Sequence, residues 1–214
     1  MFESNFEDTA MSRLKPAPHI KSCASQPPLR AWLLAASVLL ASSVFAISPA
    51  QAQLAPGAKA PTFSAQAALA GQPFEFDLQA ALEQGPTVVY FYPKAFTSGC
   101  TVEAQLFAQA MDDFKALNAT VVGVSGDDID TLKKFSEGPC GGKFAVAADP
   151  DGEVIDLYDA GFAIIPGMAD RISYAIAPDG TILEALESLS PADHVTKSLD
   201  AIRVWHDEQA GQGK

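Results

Sequence analysis

The chain has 214 residues, 48% of them hydrophobic and 19% charged, which suits one domain with a real core and excludes global disorder. A net charge of −12 argues against nucleic acid or an anionic membrane surface as partner, because neither attracts an acidic protein. Three cysteines are too few for a disulfide scaffold.

Residues 31–46 (AWLLAASVLLASSVFA) are uncharged and mostly apolar, with Arg13, Lys15, Lys21 and Arg30 before them and Ala50-Gln51-Ala52 after. Basic region, apolar stretch and small-residue site in that order predict a secretory signal peptide cleaved near Ala52. A spanning helix wants about 20 apolar residues, so an uncleaved membrane anchor is the weaker alternative. The acidic opening MFESNFED suits a signal peptide badly and points to Met11 as the start. The expectation is a leader over 1–52, a domain over 53–214 and a periplasmic or secreted location. Cys23 leaves with the leader. Cys100 and Cys140 then sit in an oxidising compartment, as one structural staple or as reactive thiols.

Residues 53–63 (QLAPGAKAPTF) form a Pro- and Gly-punctuated lead-in, and 74–84 (FEFDLQAALEQ) a short strand and a short helix. The run TVVYFY (87–92), bounded by Gly85-Pro86 and Pro93, predicts a strand buried on both faces. Residues 101–119 carry Leu106, Phe107, Ala110, Phe114 and Leu117 at helical spacing. TVVGVSG (120–126) is a second buried strand, followed by a helix over 129–137 that Asp127 or Asp128 can cap. KFAVAAD (143–149) is a third strand, and 151–158 a short helix after a Pro-Asp-Gly turn. Residues 171–188 read as a hairpin around Pro178-Asp179-Gly180, and a last helix follows with Pro191 in its first turn and Ser190 as its cap. The pattern predicts an α/β domain: a mixed central sheet flanked by helices on both faces.

Cys100 stands where the first strand runs into its helix. A thiol at a helix start faces unpaired N–H groups and the positive end of the macrodipole, which favour the nucleophilic thiolate. Thr97, three residues earlier, can point its hydroxyl at whatever approaches the sulfur, and Pro93 ends the strand and stiffens the turn. The competing reading is a small buried hydrophobe beside an ordinary N-cap. After residue 52 there are two arginines. Arg171 opens the apolar strand ISYAIA and could reach a neighbouring strand's end, or pair at the surface with Asp170 or Asp179; Arg203 lies in a polar stretch of the last helix. A fixed cation favours a thiolate and offers planar donors to oxygens of a bound substrate. His194 and His206 are expected at exposed helix positions, and the acidic pieces DDID and ADPDGE as a capped helix and a turn rather than calcium sites.

The segment YFYPKAFTSGCTVEA resembles the active-site segment of the peroxiredoxins, particularly the bacterioferritin-comigratory or Q-type branch; GAKAPTF, VVGVSGDD, KFAVAADPDGEVIDLY and DRISYAIAPDGTI continue the likeness over residues 53–205. The resemblance implies a thioredoxin-like fold and reduction of hydrogen peroxide and organic hydroperoxides at the expense of a thiol reductant. It implies Cys100 as peroxidatic cysteine, Thr97 and Arg171 completing the site, and Pro93 shielding it. No metal or organic cofactor is needed. A monomer is expected, without nucleic acid or a stable membrane partner. Many Q-type members carry a resolving cysteine five residues after the first, where this chain has Gln105. Cys140, near a position used by other members, is the candidate resolving thiol; a structural thiol or a one-cysteine enzyme are the alternatives. Ser98 stands where the family commonly has proline. Two competing functions remain: a thiol–disulfide oxidoreductase, disfavoured because Thr97 stands where the first cysteine of C-x-x-C would be, and a non-catalytic binding module stapled by Cys100–Cys140.

Overall fold

A computed structural model describes residues 53–212; the leader, its cleavage site, Met11 and Cys23 lie outside them. The elements run β1 (Ser64–Leu69), β2 (Gln72–Asp77), α1 (Leu78–Leu82), β3 (Thr87–Phe91), α2 (Ser98–Ala116), β4 (Thr120–Ser125), α3 (Ile129–Glu137), β5 (Ala145–Ala148), α4 (Glu153–Leu157), β6 (Ile172–Ile176), β7 (Ile182–Glu187) and α5 (Pro191–Gln212). They form one seven-stranded sheet in the order β2-β1-β5-β4-β3-β6-β7. β3 and β4 are parallel, as are β4 and β5, because α2 and α3 carry the chain back across the sheet. β1, β2, β6 and β7 add antiparallel edges.

β3 sits between β4 and β6 with all five residues buried, as its unbroken apolar run requires. Its side chains alternate between two cores. Val89 and Phe91 pack with Leu82, Ile155, Tyr158 and Tyr174 under α1 and α4. Val88 and Tyr90 pack with Phe107, Phe114, Phe135 and Ile202 under α2, α3 and α5.

β1 is the strand the sequence concealed. SAQAAL has little β propensity, and becomes a strand because β2 and β5 both offer it antiparallel ladders. Asp128 caps α3, its side chain accepting from the Thr131 N–H. The acidic segment 148–153 is a turn closed by Asp149, whose carboxylate accepts from the Ile155 N–H. Among the described residues no helix is long and apolar enough to cross a membrane.

Candidate active site

The site is assembled where the sheet changes direction. β3 runs parallel to β4 but antiparallel to β6, pairing Phe91 with Ile172. The carboxyl end of β3, which feeds α2, therefore lies beside the first residues of β6, which Arg171 precedes. The α2 helix starts at Ser98, three residues earlier than its apolar periodicity suggests, so Cys100 occupies its first turn. Cys100 is 2% exposed and Arg171 8%. Arg171 Nη2 donates to the Cys100 Sγ across 3.4 Å. The guanidinium thus reaches the sulfur rather than Asp170 or Asp179; Asp170 instead accepts from the Arg171 backbone N–H at 2.7 Å, and Asp179 pairs with Lys59. Arg203 is exposed and pairs with Asp200.

A third member escaped the sequence reading. Glu103 is fully buried one turn after Cys100, and its Oε2 accepts from Arg171 Nη1. Arg171 therefore spans two residues of α2, one nitrogen on the carboxylate and the other on the sulfur. Burial pushes the Glu103 carboxyl up to about 8, against the pull of Arg171. Its Oε1 has no protein partner. The available signal was a glutamate three residues from the cysteine on the buried face that also carries Ala104, Phe107, Met111 and Phe114.

Thr97 is the N-cap residue, yet its side chain makes no capping bond; the hydroxyl donates to the Lys94 carbonyl at 3.0 Å. Two consequences follow. The first-turn amides stay open to an incoming oxygen, and the Thr97 oxygen faces its surroundings as an acceptor. Half-buried Pro93 begins the connection, whose next turn is held by Asp127: Oδ2 accepts from the Ala95 N–H at 2.6 Å. Phe96 then takes the left-handed conformation, φ 63°, and lies 52% exposed with its ring edge-on to Phe135.

Cys100 and Cys140, the cysteines among the described residues, are both free. Cys140 is wholly buried in the same core as Cys100, and burial pushes its thiol far up. It lies just beyond α3, followed by Gly141 and Gly142 at φ 58° and 65°. His206 is exposed, but His194 is not: it is fully buried, with both ring nitrogens engaged. The expectation of an exposed position fails because the start of α5 packs on β6 rather than facing water. Among the described residues no cluster of His, Cys, Asp and Glu is arranged to hold a metal ion.

The family model described as the AhpC/TSA family matches residues 56–185. Peroxiredoxin Bcp of Escherichia coli K12 is 33% identical over 133 residues, covering 59% of this chain and 82% of that protein. Among solved structures, peroxidoxin BcpB of Mycobacterium tuberculosis superposes with a TM-score of 0.62 at 28% identity, covering 70% of this chain and 96% of that one. Peroxiredoxin Q of Xanthomonas campestris gives a TM-score of 0.58 at 25% identity, over 66% and 90% of the two chains. A thioredoxin-like α/β sheet, a cysteine in the first turn of its central helix and these matches lead to one conclusion: the chain belongs to the AhpC/TSA family and is a thiol-dependent peroxidase of the peroxiredoxin type.

Proposed function

We propose that Cys100 is the peroxidatic nucleophile and that Arg171 and the first-turn amides of α2 carry its transition state. The observation that supports this most directly is the Arg171 Nη2 donation into the Cys100 sulfur. The thiolate attacks one oxygen of ROOH in line; the S–O bond forms as the O–O bond breaks, leaving a sulfenic acid and RO⁻, which takes a proton to become alcohol or water. The guanidinium and the Cys100 N–H meet the negative charge that grows on the oxygens. Thr97, its proton engaged by the Lys94 carbonyl, accepts from the peroxide O–H and so orients it. Pro93 shields the site.

Cys140 resolves the sulfenic acid, forming a Cys100–Cys140 disulfide and water, and an external thiol reductant then reduces the disulfide. Burial keeps Cys140 a poor nucleophile in the reduced fold. Resolution therefore requires the first turn of α2 and the glycine-flanked loop at Cys140 to open, which also brings the Cα atoms within the roughly 4.4–6.8 Å that a disulfide demands. Export through the leader would place this chemistry in the periplasm or outside the cell, with the protein a monomer.

Stopped-flow mixing of the reduced protein with hydrogen peroxide should give rapid single-turnover oxidation that Cys100→Ser abolishes; a wild type that does not consume peroxide overturns the assignment. Mass spectrometry of the oxidised protein should show the intramolecular Cys100–Cys140 bond, whereas persistent sulfenic or sulfinic acid would mean a one-cysteine cycle. Light scattering tests the monomer, and N-terminal sequencing of exported protein tests cleavage near Ala52.

A further inference from the structure

His194 is fully buried at the start of α5, outside the set that touches the sulfur. Its Nε2 lies 2.9 Å from the Ser188 carbonyl, and its Nδ1 2.8 Å from the Ser173 Oγ. A carbonyl can only accept, so Nε2 carries the proton, and Nδ1 is left to accept from the Ser173 hydroxyl. Both partners belong to the backbone that presents Arg171. The Ser188 N–H donates to the Arg171 carbonyl at 3.3 Å. Ser173 is two residues along β6 and projects from the same face as Arg171, towards α2 and α5. Ser188 is fixed again through its hydroxyl, which contacts Asp193 Oδ2 at 3.3 Å and accepts from the Ser190 N–H at 3.1 Å.

We propose that His194 is a positioning residue for Arg171: by bridging Ser188 and Ser173 it fixes the start of β6, and with it the guanidinium against the Cys100 sulfur. The geometry asks for such a device. Arg171 precedes its strand, so the β6–β7 ladder ends beside it, with the Ile172–Glu187 pair. The imidazole closes that end from above with two hydrogen bonds and a rigid ring. A neutral ring also suits the place: burial disfavours the imidazolium and the positive charge of Arg171, just before β6, adds to this, against the Ser188 carbonyl and Asp193 on its own helix, which favour the charged ring.

The proposal rests on the Cys100–Arg171 reading, and a double-mutant cycle separates the two. The readout is the second-order rate of hydrogen peroxide consumption by the reduced full chain, with thermal unfolding alongside. His194→Phe keeps the ring and removes both bonds; it should slow the reaction roughly ten- to hundredfold, the usual penalty for misplacing a catalytic group by about 1 Å. Ser173→Ala should slow it several-fold. In an Arg171→Ala background, His194→Phe should change the rate by less than about twofold, because its effect runs through the missing guanidinium. A wild-type rate in folded His194→Phe, or an undiminished further loss on top of Arg171→Ala, overturns the proposal. If His194→Phe does not fold, Ser173→Ala carries the same cycle: a several-fold loss that disappears in the Arg171→Ala background supports the proposal, and a wild-type rate or an undiminished loss in that background overturns it. If Arg171→Ala is as fast as wild type, it is the Cys100–Arg171 reading that falls.

Discussion

Gly99 precedes Cys100, and a Cβ built there would stand 3.1 Å from Arg171 Nη2. Its φ lies outside the left-handed region, so alanine is compatible with the backbone and, inside a helix, worth up to about 1 kcal/mol over glycine. Gly99→Ala is therefore expected to hold or raise the melting temperature while slowing peroxide reduction several-fold, because the guanidinium must give way. Equal rates would mean that the arginine has room to spare. Glu103 makes a pH prediction. Burial raises its folded-state value from the ordinary 4.5 to about 8, so between those pH values the folded protein holds a proton that the unfolded chain has released. Stability contributed by this group therefore falls as pH rises through that window. Relative to Glu103→Gln, the wild type should lose unfolding free energy from about pH 4.5 to about pH 8 and change little beyond; urea titrations at several pH values would show it, and a difference flat in pH would refute it. His194 works in the opposite direction. Burial, with the positive charge of Arg171, lowers it below 6.5, so the unfolded state takes up the proton first and stability should fall as pH drops below that value.

At the scale of elements, β3 and β4 are fitted to each other through Tyr90 and Gly123. The Tyr90 ring lies across the glycine, where a Cβ would come within 2.7 Å of its Cζ. Gly123→Ala should cost about 1–3 kcal/mol by overpacking. The Tyr90 hydroxyl is buried without a protein partner, so Tyr90→Phe should leave stability unchanged or raise it by about 1 kcal/mol. Chemical denaturation measures both, and a large loss in Tyr90→Phe would reveal a hidden partner. The loop after α3 carries the other thiol. Wholly buried and held protonated, Cys140 should react with iodoacetamide far more slowly than Cys100 in the reduced protein, and at a rate limited by local opening. Comparable labelling rates would contradict a closed loop.

At the scale of the molecule, the hydrophobic runs made β3, β4, β5, the hairpin and the five helices legible, because periodicity reports which faces must leave water. β1 was not legible: its alanines become a strand only between two partners supplied by distant sequence. Glu103 and His194 were missed or misplaced for the same reason. A polar side chain in a helix looks solvated until the element packed over it is known, and here those elements are β6 and the residues before it. Cys100, Thr97, Pro93 and Cys140 could be named as candidates because three of them share one short strand-to-helix segment and the fourth is the remaining cysteine of the domain expected over 53–214. Arg171 could be named as one of the two arginines after residue 52 and as the one that matches the family's position, but its reach could not.

The sequence by itself determined the α/β class, the placing of a cysteine at a helix start and the family, because local periodicity and a short motif are properties of neighbouring residues. The tertiary structure alone decided that Arg171 turns to the sulfur, that Glu103 shares it and that His194 lies buried against the strand behind it. Those contacts join residues tens of positions apart, and which of them form is settled by the antiparallel register of β6 against β3 and by the burial of charges that must find partners once water is gone.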